Sequence, residues 1–138
     1  MMWWIYALLS AFFAALTAIF AKVGIKGVDT DLATAIRTVV ILVIAWGIAF
    51  IRGGTATIHT LTKQNIIFLT LSGIATGLSW IFYFKALQVG KISQVAPVDK
   101  MSVAIAIILA VVFLGEPLTI KTAVGALLII GGTLVLIF

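Results

Sequence analysis

The stretch VAPVDKMSVAIAIILAVVFL, residues 95–114, decides the fold. Ile105 to Leu114 is apolar without interruption. A strand of a membrane β-barrel would instead alternate polar and apolar positions along a short segment. Twenty helical residues at 1.5 Å each cover about 30 Å, the thickness of a bilayer's hydrocarbon core. The stretch therefore predicts a transmembrane helix, stopped by Gly115-Glu116-Pro117. Pro97 falls in its first turn on this reading, where a missing N–H costs little.

Four further runs have the same character. The sequence predicts spans from Trp3 to Ala21, Leu32 to Ile51, Asn65 to Leu87, Val95 to Leu114 and Thr119 to Phe138. The expected fold is an all-α integral membrane protein with five transmembrane helices in a single domain over residues 1–138. Composition agrees. Hydrophobic residues make up 64% of the 138 and charged residues 9%, against about 25% charged in a soluble domain. A small soluble fold cannot hide so much apolar surface, which excludes a soluble globular, disordered or nucleic-acid-binding chain. Trp3, Trp4 and Tyr6 fit an interfacial aromatic belt. The segment Met1-Met2-Trp3-Trp4 lacks the basic region of a signal peptide.

Catalysis finds little support. There are no cysteines, and the one histidine, His59, cannot form a metal cluster alone. No nucleophile–base set or phosphate loop is present. No cofactor is implied and the chain reads as a non-enzyme.

The few charges are the informative residues. After Arg37 the charge-free part of span two is only Thr38 to Ile51, and after Lys100 that of span four is only Met101 to Leu114. Neither piece crosses a bilayer by itself, so Arg37, Asp99 and Lys100 fall within membrane depth, roughly 7–10 Å inside their helix ends. Because spans alternate in direction, Lys22, Arg37, Lys85, Asp99 and Lys100 all fall in one leaflet. Buried charges of this kind usually face a bundle interior or a water-filled cavity. They fit a positively biased vestibule for anionic or zwitterionic solutes. They equally fit structural pairing of Asp99 with Arg37, Lys85 or Lys100, and snorkelling of the lysines to the headgroups.

Span three adds a hydroxyl stripe, Ser72, Thr76, Ser79 and Tyr83, on one helix face. These groups suit a solute cavity, or hydrogen bonds to neighbouring helices and to their own backbone. Trp80 suits stacking on an aromatic or cationic solute, or core filling. Gly73-x-x-x-Gly77, the alanines Ala11, Ala14, Ala15 and Ala18, and Gly131-Gly132 read as packing surfaces. Glu116 is expected to cap or charge-stabilise the start of span five.

Loop charges do not choose an orientation. With the N-terminus inside, Arg52, Lys63 and Lys121 lie inside, against Lys22, Lys26 and Lys91 outside with Lys85 near the edge. This balance permits insertion both ways. Five helices make a thin bundle, and many transporters surround a midplane site with two inverted repeats. No internal repeat is found here, so two antiparallel copies would supply the inverted pair.

Several segments resemble the EamA-type proteins of the drug/metabolite transporter superfamily, in their short form of one five-span unit. Tyr83-Phe84-Lys85-Ala86-Leu87-Gln88-Val89-Gly90 is similar to the aromatic Ala-Leu end of that family's third span. Val95-Ala96-Pro97-Val98-Asp99-Lys100-Met101-Ser102-Val103 resembles its Pro-x-Asp-Lys start of the fourth, and Phe113 to Thr119 its Leu-Gly-Glu turn. Gly125 to Gly132 matches its fifth-span glycine run, and Lys22 and Arg37 match basic positions near spans one and two. Pro117 departs from the usual follower of the glutamate.

The resemblance implies one half of an inverted-repeat fold, acting as a homodimer to export small metabolites across a bacterial or archaeal plasma membrane. Its partners are then the lipid bilayer, a small-molecule solute and a second copy, with no nucleic acid. The residues themselves then suggest Asp99 as a coupling or ion-pair switch with Lys100, Lys85 or Arg37, with Trp80, Tyr83, Ser79 and Thr76 lining the cavity and Lys22 completing the site. Two alternatives are a non-transporting membrane subunit and a small-multidrug-resistance-type exporter. The latter relies on a glutamate in its first span, and Trp3 to Ala21 holds no acid.

Overall fold

The computed structural model describes residues 2–138. Its helices are α1 (Trp3–Gly24), α2 (Thr30–Ile51), α3 (Lys63–Val89), α4 (Ile92–Lys100), α5 (Ser102–Leu114) and α6 (Ile120–Ile137), with a 3-10 helix at Gly54–Thr60. Five segments are long and apolar enough to cross a membrane, at 22, 22, 27, 23 and 18 residues, with α4 and α5 together making the fourth. The protein is an all-α, multi-pass membrane protein.

Local chemistry sets the helix ends. Asp29 caps α2, its Oδ1 accepting the N–H groups of Asp31 and Leu32 at 3.0 Å each. This cap moves the start of span two from the expected Leu32 back to Thr30. The Thr62 hydroxyl accepts the Asn65 N–H at 3.2 Å ahead of α3. The Thr119 hydroxyl accepts the Thr122 N–H at 3.1 Å and caps α6. Glu116 lies in the turn between α5 and α6, as expected, but the side-chain cap that the sequence offers to it is made by Thr119. Gly115 stops α5 at φ 67°, a left-handed conformation that glycine adopts without penalty.

The fourth span differs most from expectation. It begins at Ile92, so Pro97 stands inside α4 and not in its first turn. Having no N–H, Pro97 cannot bond back to the Ser93 carbonyl. One turn later the helix breaks: the Met101 N–H bonds Val98 O at 3.0 Å instead of Pro97 O. The Pro97 carbonyl is met from α6, where the buried Thr133 hydroxyl donates to it at 3.2 Å.

The chain divides into two compact units. One contains the N-terminal helix to Lys22 and Val89–Phe138; in it α6 packs along both α4 and α5. The other is Val23–Gln88, containing α2, the 3-10 helix and most of α3. In that unit α2 and α3 run antiparallel and are bridged by long side chains: Gln88 Nε2 donates to Val28 O at 3.1 Å, Lys85 pairs with Asp31, and Arg37 reaches Trp80 and Phe84.

Few residues are buried. The apolar ones are Ala18, Ala21, Ile25, Phe84, Leu87 and Ala104, joined by Thr30, Thr34 and Thr133. Most leucine, isoleucine and valine side chains face outward, as a lipid-facing surface requires. Of the expected packing alanines in span one, Ala18 is buried, while Ala11, Ala14 and Ala15 are exposed. Gly73, Gly77, Gly131 and Gly132 meet no neighbour within this chain, and a Cβ at each would enter open space.

Candidate functional site

The expected site residues fall into two groups, one in each unit. In the unit of α2 and α3, Arg37 stands seven residues into α2, roughly 10 Å along the helix. Its guanidinium Cζ lies 4.9 Å from the centroid of the Trp80 ring and 4.7 Å from that of Phe84. Both distances are inside the range at which a cation is attracted to an aromatic face. Trp80 and Phe84 are four residues apart on α3, so they present one surface to the cation. Phe84 is almost fully buried, and its ring lies 6.1 Å from that of Tyr83.

Nearer the helix ends, Lys85 Nζ lies 3.4 Å from Asp31 Oδ1, both side chains being more than half exposed. Thr76 spends its hydroxyl proton on Ser72 O at 2.8 Å, within its own helix. Ser79 is exposed on α3.

In the other unit, Asp99 and Lys100 stand at the break between α4 and α5. Lys100 Nζ lies 3.3 Å from Asp99 Oδ2. Neighbours in an unbroken helix point apart, and the end of α4 lets these two meet. Seven residues after Ile92, Asp99 is roughly 10 Å into the span. Irregular backbone at membrane depth is tolerated where it packs against protein or lines a cavity. Lys22 Nζ donates to Gly90 O at 2.7 Å and fastens the end of α1 to the loop before α4.

Of the three cations weighed for Asp99, the ion pair formed is with Lys100; Lys85 takes Asp31 and Arg37 takes two rings. A cavity of about 250 Å³ lies beside Trp46 at the C-terminal end of α2, lined mainly by Ala45, Ala49 and Ile58. None of the charged residues lines it.

The family model described as the EamA-like transporter family matches residues 1–138. The chain belongs to the EamA-like transporter family. It is a membrane transporter on that ground, and a similar protein agrees. A Sinorhizobium sp. protein described as an uncharacterized transporter in the cobO 3′ region is 46% identical over 134 residues, covering 97% of this chain and 95% of its own length. No solved structure matches the chain. The five spans place this EamA-like transporter in the cell membrane.

Three contributors escaped the sequence reading. Phe84 was visible as the residue four positions after Trp80, but an aromatic in an apolar span reads as filler. Asp31 reads as a loop acid, and nothing local announces its pairing with Lys85. Thr133 reads as a lone hydroxyl among glycines; only the packing of α6 on α4 brings it to Pro97.

Proposed function

We propose that this EamA-like transporter moves a small polar or amphipathic solute by alternating access, with export as its direction. The five spans act as one transport domain and are completed by a second copy inserted antiparallel. The observation that carries the reading is the break of the fourth span at Met101 beside Asp99 and Lys100. Discontinuous helices with polar groups at membrane depth are a recurring device of transporter sites.

Asp99 is the coupling group, exchanging its partner Lys100 for ion or solute. Arg37, Lys85 and Lys22 set the positive bias, and Trp80, Tyr83, Ser79 and Thr76 line the path. The homodimer is supported by the thin core and by the open faces at Gly73, Gly77, Gly131 and Gly132, where small residues let helices approach closely.

The test is flux through proteoliposomes made with purified protein, read as capacitive current on a solid-supported membrane. Jumps of amino acids, small carboxylates and quaternary ammonium ions are applied in turn. At least one jump gives a saturable current in the wild type, and Asp99→Asn abolishes it while the protein still inserts and stays monodisperse. Currents equal to those of protein-free vesicles for every solute would favour a non-transporting membrane subunit.

A further inference from the structure

Arg37 has rings beside it and no carboxylate. Of the four acids, Asp31 is paired with Lys85, Asp99 with Lys100, and Asp29 caps α2. Glu116 lies in the turn between α5 and α6. Among the described residues no ion pair and no hydrogen bond to protein is formed by Arg37; its guanidinium lies over Trp80 and Phe84 and within electrostatic reach of the Tyr83 phenol. Ring contacts at this range hold the cation electrostatically and satisfy none of its five N–H donors. The residue is half-buried, and no buried side-chain nitrogen or oxygen lacks a partner, so those donors open outward from the unit.

A guanidinium at membrane depth with its donors unmet is costly. Its planar fork matches the two oxygens of a carboxylate or phosphate. The rings fix where that fork sits. They also assign Trp80 differently from a cation receptor for the solute, because the protein's own cation already lies over its face.

We infer that Arg37, held by Trp80 and Phe84, is the receptor for an oxyanion group of a small solute, so that the ligand is anionic or zwitterionic. The inference rests on the transport reading above for its physiological sense, but it is tested by binding.

Purified protein in phosphatidylcholine nanodiscs is melted with sodium lactate, benzoate, glutamate or phosphate against sodium chloride at equal ionic strength. Tetramethylammonium chloride serves as the cationic probe. A ligand that binds only the folded state raises the melting temperature. At least one oxyanion raises it in the wild type. Arg37→Lys, which keeps the charge and loses the fork, weakens apparent affinity by about tenfold, and Arg37→Gln removes the shift. Trp80→Leu weakens it with the charge intact, which keeps the test decisive should Arg37→Gln fail to fold.

Four outcomes overturn the inference: no oxyanion acts beyond chloride; the shift survives Arg37→Gln; tetramethylammonium alone stabilises; or stabilisation needs phosphatidylglycerol in the disc and no added solute, which makes the ligand a lipid headgroup. Labelled-solute counterflow separates the two readings. Arg37-dependent binding without flux sinks transport and leaves the receptor, whereas flux with Arg37-independent binding sinks the receptor alone.

Discussion

Replacing Thr133 by valine tests whether the broken fourth span is held from α6. The hydroxyl carries one proton and has two acceptors, Ile129 O at 2.8 Å in its own helix and Pro97 O at 3.2 Å across the interface. Interhelical hydrogen bonds in membrane proteins average about 0.6 kcal/mol, with a maximum near 1.7. The longer, shared bond belongs at the low end. The Pro97 carbonyl is then left unmet, because the Met101 N–H has gone to Val98 O at 3.0 Å, and part of the about 1–3 kcal/mol cost of an unsatisfied group is added. Thr133→Val is therefore expected to destabilise by about 1 kcal/mol, roughly fivefold in the unfolding equilibrium. Thr133→Ser keeps most of the wild-type stability. In a Pro97→Ala background the restored N–H bonds Ser93 O; where that also lets the Met101 N–H take the residue-97 carbonyl, the valine substitution costs almost nothing. The assay is reversible unfolding in mixed micelles followed by circular dichroism, run as a double-mutant cycle. Single-mutant costs that add to within about 0.3 kcal/mol would show that Thr133 does not hold the Pro97 carbonyl, since groups that share no interaction behave additively.

Asp31→Asn removes an exposed ion pair with Lys85, so the same unfolding assay should register less than about 1 kcal/mol. Gly115→Ala forces a side chain into the left-handed conformation at φ 67°, and is expected to cost about 1–2 kcal/mol. A Cβ there meets no neighbour, so the whole loss is conformational and Gly115→Asn should recover part of it. Phe84 is 1% exposed and lies against the Arg37 guanidinium; Phe84→Ala should cost about 3 kcal/mol, well above Tyr6→Ala on the exposed face of α1.

The five spans were legible because a bilayer imposes length and apolarity on each segment separately. Helix ends were legible to within a few residues, and the cap at Asp29 explains why span two starts earlier than its first apolar residue. Pro97 was read correctly as a residue of span four but misplaced, since the polar turn Ile92-Ser93-Gln94 joins the helix and puts the proline inside it. The charged residues announced themselves through their cost in a membrane. Their partners did not: which of Asp31 and Asp99 takes Lys85 depends on helix rotation and register, and hydropathy carries neither. The clamp on Arg37 shows both sides of this. Arg37 was legible as a charge at membrane depth and Trp80 as a ring for stacking or core filling, while their contact, and the share of Phe84 in it, needed the antiparallel register of α2 and α3.

Under the proposed function, one five-span chain completes a transport path by pairing with an inverted copy. The natural sequence contains no cysteine, so Phe138→Cys introduces a single reactive thiol at the end of the fifth span. A membrane-impermeant maleimide applied to sealed, right-side-out membrane vesicles labels about half of the thiols, and the remainder only after permeabilisation, if the balanced loop charges insert the chain both ways. Labelling that is complete, or absent, before permeabilisation fixes a single orientation and contradicts the inverted pair.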